Sequence, residues 1–165
     1  MPTDLFLFTT QNSVVAWSPI DDRVMGGSST SCLRYDPIGH AIFEGTVKPD
    51  NNGGFASVRT RALDLRVKSA SAYVLKVNSD GKRYKFNLRM EDSFDGVAYQ
   101  TAFVTPAGVW TSVHLPVSQF TATFRGRPVS DAPSLDPTLV RQAGFMIGDR
   151  QIGDFSLNVQ AIGTE

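Results

Sequence analysis

Apolar and polar residues alternate in several short runs along the chain. In the clearest run, residues 155–161, the apolar Phe155, Leu157, Val159 and Ala161 alternate with polar residues. Successive side chains of a β-strand point to opposite faces of a sheet, so this period of two predicts a half-buried strand. The same period predicts four more strands, over residues 73–77, 84–90, 99–103 and 109–115.

Turn residues and helix signals complete the predicted fold. Further strands are expected within residues 1–8 and over residues 40–48 and 55–61. The Asp80-Gly81 pair predicts a tight hairpin between two neighbouring strands, because such pairs readily take positive φ angles. Asp136 followed by Pro137 predicts one short helix over residues 137–142. Many short strands and little helix are typical of an antiparallel sandwich or barrel, and we predict an all-β, jelly-roll-like β-sandwich.

Composition limits the possible partners. The 165 residues, 41% of them hydrophobic, are enough for a single domain over residues 1–165. Basic and acidic residues number 16 each, and this balance disfavours nucleic-acid binding. The one cysteine, Cys32, forms no internal disulfide and is expected in a strand or the core. The first eight residues have no basic segment and too short an apolar run for a signal peptide, so cytoplasmic residence is the default.

The sequence offers little for catalysis or for a cofactor. His40 and His114 have no other ligand at metal-site spacing, and neither a Gly-x-Ser-x-Gly elbow nor a dinucleotide glycine motif is present. We therefore predict no enzyme activity, no cofactor and no metal as the main interpretation. Three acidic groups leave calcium open as an alternative: Asp21 with Asp22, Asp50 with Asn51 and Asn52, and Glu91 with Asp92 and Asp95.

The segment over residues 21–29 sets two carboxylates and an arginine against a double glycine. Glycine allows backbone angles and close approaches that other residues avoid, so this segment predicts a built turn suited to recognition or structure. In the preferred interpretation Asp21 or Asp22 accepts hydrogen bonds from turn amides and pairs with Arg23 or Arg59. It is equally open that Met25 fills the core and the glycines only reverse the chain.

Aromatic residues leave a second kind of binding open. Trp17, Phe55, Tyr99 and Trp110 either pack in the core or line a platform for a sugar ring. Trp110 falls on the face opposite its apolar neighbours in the predicted strand. Either both faces of that strand are covered, or Trp110 is displayed to a partner.

Several motifs follow one another in a fixed order along the chain. The first are Trp17 with Asp-Arg-Val-Met-Gly-Gly-Ser at residues 22–28, Phe43-Glu44-Gly45, and Gly-Gly-Phe-Ala-Ser-Val-Arg at residues 53–59. The order continues with Asp80-Gly81-Lys82-Arg83-Tyr84, Trp110 before Leu115-Pro116 and Phe120, Phe124-Arg125-Gly126-Arg127, Gly144-Phe145-Met146-Ile147 and Phe155-Ser156-Leu157. Together these motifs resemble the complex I intermediate-associated protein family. The resemblance covers nearly the whole chain, and the combination of the two glycine motifs is its specific part.

This resemblance implies a galactose-binding-like β-sandwich, similar to some carbohydrate-binding modules, with a non-enzymatic role. Mitochondrial members look like chaperones of complex I membrane-arm intermediates, and related plant domains serve photosystem II biogenesis. The chain begins without the long presequence of the mitochondrial members, which suggests a compact bacterial member.

The resulting prediction is a non-catalytic assembly factor or chaperone for a membrane-bound respiratory or photosynthetic complex. Its partner would be a client protein, a subunit or an assembly intermediate, with at most peripheral membrane association. The residues expected to bind the partner are Asp22, Arg23, Met25, Gly26, Gly27, Ser28, Gly54, Phe55, Arg59, Trp110, Arg125 and Arg127. The alternative is a carbohydrate-binding domain that uses Trp110 or Tyr99 as a stacking ring.

Overall fold

The computed structural model describes residues 2–21, 27–49 and 54–165 and consists almost entirely of β-strands. In chain order the strands are β1 (Thr3–Leu7), β2 (Trp17–Pro19), β3 (Thr30–Asp36), β4 (His40–Val47), β5 (Ala56–Thr60), β6 (Ala72–Ser79), β7 (Arg83–Arg89), β8 (Ala98–Val104), β9 (Thr111–Pro116), β10 (Thr121–Phe124), β11 (Arg127–Pro128), β12 (Gln142–Ile147) and β13 (Gly153–Thr164).

The strands form two antiparallel sheets. Sheet A has the order β3-β4-β13-β6-β9, and β1 pairs with the C-terminal part of β13. Sheet B has the order β11-β10-β8-β7-β12-β5-β2. Chain neighbours are often separated in the sheets, as in a jelly roll, and the predicted all-β sandwich is confirmed.

Large aromatic side chains fill the space between the sheets. Phe43 and Tyr73 from sheet A and Tyr84, Phe86 and Phe145 from sheet B are fully buried. Phe43 contacts Tyr84 and Phe145 across the interface, with ring centroids 6.2 and 6.4 Å away. The inner faces are therefore committed to the core, and the polar residues of each strand lie on the two outer faces.

The β13 strand follows the predicted alternation only as far as Val159. A register shift between Val159 and Ala161 inserts an extra residue, so that Ile162 rather than Ala161 is fully buried. The prediction that Ala161 shares the face of Val159 is wrong, because a β-bulge exchanges the two faces of a strand. The bulge lies where β13 changes its partner from β4 to β1.

The turn at Asp80 and Gly81 is tight but does not make a hairpin. Gly81 has a φ of +88°, as an Asp-Gly turn requires. However, β6 belongs to sheet A and β7 to sheet B, so the chain crosses from one sheet to the other. The predicted hairpin is wrong because local turn chemistry fixes the reversal and not the partner with which each strand pairs.

The predicted helix over residues 137–142 is only a 3₁₀ turn, Pro137–Leu139. Its start is as expected, because the Asp136 carboxylate accepts a hydrogen bond from the Thr138 N–H at 2.9 Å. Val140 then takes extended backbone angles and is fully buried, and Gln142 opens β12. Burial of Val140 and strand pairing override the helical signal. Within the described residues, no helix has the length and apolar character that a membrane crossing requires.

Candidate functional site

The described residues that flank the two glycine-rich turns lie next to each other. The Ser29 hydroxyl accepts a hydrogen bond from the Lys48 N–H at 2.9 Å. Asp21 is 4% exposed, and its Oδ1 accepts hydrogen bonds from the Ser57 N–H at 3.0 Å and from the Ser31 hydroxyl at 2.5 Å. This carboxylate holds the end of β2 against β3 and β5. Its backbone donor belongs to strand β5 rather than to a turn, and the ion pairs of the described residues do not join Asp21 to Arg59.

The predicted partner-binding residues of this region are only partly described. Asp22, Arg23, Met25 and Gly26 lie outside the described residues. Gly27 and Ser28 are half-buried.

Gly54 is buried and has a φ of +117°. A Cβ at Gly54 would lie 3.2 Å from the Arg150 side chain. Its backbone is therefore covered by Arg150 rather than open to a client. The neighbouring Phe55 is half-buried.

Arg59 lies on the outer face of sheet B. The alternate residues of β5 are buried, so Arg59 points away from the core. Across the sheet it pairs with Gly144, which pairs with Asn87, which pairs with Gln100. The Gln100 amide donates to Asn87 Oδ1 at 2.9 Å. This row gives the outer face a strip of uncharged hydrogen-bonding groups beside the guanidinium.

Residues 90–97, here called the β7–β8 loop, lie over part of this face. Arg59 Nη1 donates to the Phe94 carbonyl at 2.9 Å, and its guanidinium carbon is 4.5 Å from the centre of the Phe94 ring. Arg89 Nη1 donates to the Gly96 carbonyl at 2.7 Å. Two outward-pointing arginines thus hold the backbone of the loop.

Gln142 holds the first half of the same loop. Its side-chain amide donates to the carbonyls of Glu91 and Ser93, at 2.7 and 2.9 Å. Gln142 belongs to the outward-facing set of β12 and yet is only 4% exposed. The β7–β8 loop therefore covers this residue.

Ion pairs fix the two edges of the loop. Arg125 pairs with Asp95, and Arg141 pairs with Asp92 at 2.7 Å. Arg125 lies at the turn between β10 and β11, where its φ of +51° is followed by +79° at Gly126. The turn thus brings Arg125 to the loop. The nearby Arg127 is exposed in β11.

Not every arginine on this face is paired with a carboxylate. Burial lowers the pKa of Arg59, and burial with the nearby positive charge of Arg59 lowers the pKa of Arg89 to about 10. Arg89 Nε is buried without a hydrogen-bond partner. Among the described residues, the ion pairs include neither Arg59 nor Arg89. Both remain protonated at neutral pH, so the face keeps two partly buried cations whose acceptors are backbone carbonyls.

The acidic residues of the loop do not form a calcium site. Asp92 and Asp95 are paired with arginines, and Glu91 accepts a hydrogen bond from the Ser93 hydroxyl at 3.0 Å. In the part of the chain that the structure describes, no three His, Cys, Asp or Glu residues are grouped so that they could hold a metal. The calcium alternative therefore has no support at Glu91, Asp92 and Asp95, whereas Asp22, Asp50, Asn51 and Asn52 of the other two groups lie outside the described residues.

Trp110 lies on the other side of the molecule. Its ring contacts the ring of His40, with centroids 5.4 Å apart, and it is 41% exposed. His40 belongs to the outward-facing set of β4 in sheet A. Trp110 and Arg59 thus lie on the outer faces of different sheets, so these two members of the predicted partner-binding set do not share a face. Tyr99 is 3% exposed and donates to the Pro133 carbonyl, so it offers no stacking ring.

Sequence reasoning missed Arg89, Gln142 and the β7–β8 loop. No motif or spacing along the chain distinguishes Arg89 from the other basic residues, and Gln142 falls within the helix predicted over residues 137–142. Their roles depend on the pairing of β7 with β12, which places Gln142 opposite Arg89. The density of acidic residues at 91–95 was the only local signal.

Comparison with known proteins gives a consistent result along the chain. The family model described as Complex I intermediate-associated protein 30 matches residues 6–159. A mitochondrial protein of that name from Drosophila melanogaster is 26% identical over 98% of this chain and 62% of its own length. An uncharacterized protein of Schizosaccharomyces pombe is 32% identical over 87% of this chain and 74% of its own. A probable Complex I intermediate-associated protein 30 from Caenorhabditis elegans is 28% identical over 96% of this chain. The chain spans 52% of that relative's length.

Solved structures show the same fold in proteins of low sequence identity. A family 11 carbohydrate-binding module from Clostridium thermocellum matches with a TM-score of 0.72 and 16% identity, over 99% of this chain and 94% of the module. An agarase, AgWH50C, matches with a TM-score of 0.63 and 11% identity, over 99% of this chain and 24% of the agarase. At such identities the likeness concerns the fold alone.

Proposed function

Since the chain belongs to the Complex I intermediate-associated protein 30 family, we propose that it is a non-catalytic protein-binding module that associates with assembly intermediates of a membrane-bound respiratory complex. The match over residues 6–159 is the observation that carries the proposal. The names of the fly and nematode relatives refer to complex I intermediates.

The outer face of sheet B is the surface we propose for the client. Arg59 and Arg89 point outward from this face, and at its edge Phe124 is 37% exposed, with its ring centre 5.3 Å from the Arg125 guanidinium carbon. Aromatic residues and arginines are enriched in protein–protein interfaces, where they often supply most of the binding energy. Arg127 belongs to the same edge of the sheet and would extend the surface.

The position of the histidines supports a binding role rather than catalysis on this face. Both histidines of the chain, His40 and His114, belong to sheet A. The hydroxyl of Ser57 on sheet B donates to the Ile20 carbonyl, and the side chains of Asn87 and Gln100 bond to each other. These groups are engaged in structure and lack the nucleophile–base geometry that acyl transfer needs.

Recovery of partners tests the proposal. The tagged protein is purified from membranes extracted with a mild detergent, and co-purifying proteins are identified by mass spectrometry. We expect respiratory complex I subunits to be enriched over a tag-only control. The double variant Arg59→Ala with Arg125→Ala should reduce that enrichment at least fivefold.

A matched double variant controls for the loss of two positive charges. Arg34 and Arg66 are exposed, and each is paired with one carboxylate, so Arg34→Ala with Arg66→Ala removes the same charge elsewhere. This variant should recover complex I subunits as the wild type does. Recovery of no complex I subunit would contradict the proposed function, and equal loss in both double variants would contradict the proposed surface.

Exposure of Trp110 on sheet A favours glycan recognition as a second candidate. A ring 41% exposed beside His40 could stack on a sugar. A glycan array with the wild type and Trp110→Ala decides the point. Binding of a defined glycan that is lost in the variant supports this candidate, and absence of glycan binding contradicts it.

A further inference from the structure

We propose that the β7–β8 loop is an internal occupant of the client site, and that an acidic client segment carrying an aromatic residue replaces it. The inference rests on the proposed function and specifies the chemistry of the partner. Residues 91–96 read Glu-Asp-Ser-Phe-Asp-Gly, with three acids and one aromatic ring in six residues.

The loop is bound as a ligand would be bound. Its polar contacts with the sheet, among the described residues, come from cationic or amide side chains on separate strands and turns. Arg59 binds the Phe94 carbonyl and ring, Arg89 binds the Gly96 carbonyl, and Gln142 binds the carbonyls of Glu91 and Ser93. Arginine forks and amide donors of this kind suit an acidic peptide backbone.

The attachment of the loop is weak enough to be reversed. All five residues from Glu91 to Asp95 are exposed, and of the loop only the two end residues, Met90 and Val97, pack against the core. Ion pairs between exposed groups, such as Arg125 with Asp95, contribute little to stability. A segment with little buried apolar surface opens locally without global unfolding.

If the loop opened, Arg59, Arg89 and Gln142 would be left with hydrogen-bond donors that have no acceptor. Arg59 and Gln142 would lose the carbonyls that they bind, and Arg89, whose Nε has no acceptor even with the loop in place, would lose its remaining partner. The Arg59 and Arg89 cations are close enough to interact unfavourably. Carboxylates from a client would satisfy these donors and reduce the repulsion. An aromatic side chain would take the position of Phe94 over Arg59.

Peptides test this exchange directly. The probe is a fluorescent, end-capped peptide with the loop's own sequence, Glu-Asp-Ser-Phe-Asp-Gly, and its binding to the full chain is followed by anisotropy. The probe is also tested on the variant protein Asp92→Asn with Asp95→Asn. These substitutions remove both ion pairs of the loop while keeping the size of the side chains. We expect this variant to bind the probe about fivefold more tightly than the wild type, because a larger fraction of molecules has the loop open.

Two control peptides and two further protein variants test whether the recognition is specific. A peptide in which the three acids are replaced by their amides, and one with alanine in place of the phenylalanine, should each bind at least fivefold more weakly. Adding Arg59→Ala to the Asp92→Asn, Asp95→Asn protein should weaken binding of the original probe at least fivefold. Adding Arg34→Ala instead should leave binding unchanged.

Either of two results would overturn the inference. One is that the Asp92→Asn, Asp95→Asn protein binds the acidic probe no better than the wild type does, although its circular dichroism is native. The other is that the amide peptide binds as well as the acidic one. If complex I subunits are recovered but the acidic probe fails, the exchange is wrong and the proposed function stands. If the probe binds as expected but no complex I subunit is recovered, the proposed function fails alone.

Discussion

Gly45 pairs with Ser31 where the backbones of β3 and β4 approach each other closely. A Cβ on Gly45 would lie 1.9 Å from the Thr30 carbonyl oxygen and 2.8 Å from the Ser31 Cα, both backbone atoms. Backbone atoms of a paired strand cannot move aside as a flexible side chain can. The residue is therefore fixed by a contact that the sequence pattern does not reveal.

Replacing Gly45 with alanine should lower the free energy of unfolding by roughly 2–3 kcal/mol, because the strands must separate to admit a methyl group. Gly148→Ala is the matched control, since its Cβ would meet no described atom closer than 3.9 Å. The control should change stability by less than about 1 kcal/mol. Urea unfolding of both variants measures this, and equal stability of the two would show that the predicted clash is absent.

Gln142 supports the β7–β8 loop through two hydrogen bonds from a nearly buried amide. Gln142→Ala should destabilise the protein by about 1–2 kcal/mol, because two carbonyls lose their donor. Hydrogen exchange of the amides at residues 91–96 should become faster, while exchange in β4 and β13 changes much less. Uniform acceleration throughout the sheets would indicate a core defect and contradict a role specific to the loop.

Tyr73 and Tyr84 supply a prediction about pH. Burial raises the pKa of both phenols well above the usual value near 10, and the charge of Asp80 raises that of Tyr84 further. The folded state therefore keeps protons that the unfolded state releases above pH 10. The contribution to stability is complete below pH 10 and is lost as the pH rises further.

A spectrophotometric titration checks this expectation. Phenolate absorbance from these two tyrosines should develop only together with loss of the near-ultraviolet circular dichroism. The Tyr84→Phe variant should show a shallower decrease in stability above pH 10. Complete ionisation of all four tyrosines in a protein that is still folded would contradict the assignment.

Among the structural elements, the turn between β6 and β7 shows how a correct local prediction leads to a wrong pairing. The Asp80 carboxylate accepts hydrogen bonds from the Lys82 N–H, the Tyr84 hydroxyl and the Ser156 N–H, at 3.1, 3.0 and 2.9 Å. Tyr84 is in sheet B and Ser156 is in sheet A. The same side chain that makes the turn also ties the two sheets together.

Asp80→Ala should therefore destabilise the protein more than the loss of an isolated turn residue would. We expect about 1–2 kcal/mol, since Asp80 is exposed and part of each hydrogen bond is replaced by water. Asp36 is the matched control, because among the described residues its carboxylate accepts a hydrogen bond only from the Ile38 N–H, within the β3–β4 turn. Denaturant unfolding should show a smaller effect for Asp36→Ala, and the reverse order would contradict the bridging role.

The strands with clear alternation could be predicted from the sequence, and β4, β6, β7 and β8 lie within two residues of their expected positions. The pairing of strands could not, because partners such as β12 and β7 are far apart in the chain and are selected by packing of the whole core. The bulge in β13 and the shortness of the 3₁₀ turn at Pro137 could not be predicted either, because packing of the whole core determines them as well. Tertiary contacts there outweigh the local preference of the residues.

For the whole molecule, the important feature is that the sandwich has two outer faces of different character. The outer face of sheet B carries Arg59, Arg89 and the β7–β8 loop, and the outer face of sheet A carries Trp110 with His40. Sequence reasoning identified Arg59, Arg125 and Trp110 as candidates without separating them. Which residues share a face depends on the assembly of the sheets, and no spacing along the chain contains that information.

Site-directed photocrosslinking tests most directly whether the client binds the outer face of sheet B. A photoreactive phenylalanine analogue replaces Thr121 in one protein and Trp110 in another. Thr121 is exposed and pairs with Gln100 on the outer face of sheet B, whereas Trp110 is exposed on the side of sheet A. Both proteins are irradiated in membranes that contain assembly intermediates, and the products are identified by mass spectrometry. We predict crosslinks from position 121 to a complex I subunit and none from position 110. Crosslinks to complex I subunits from position 110 alone would contradict the account.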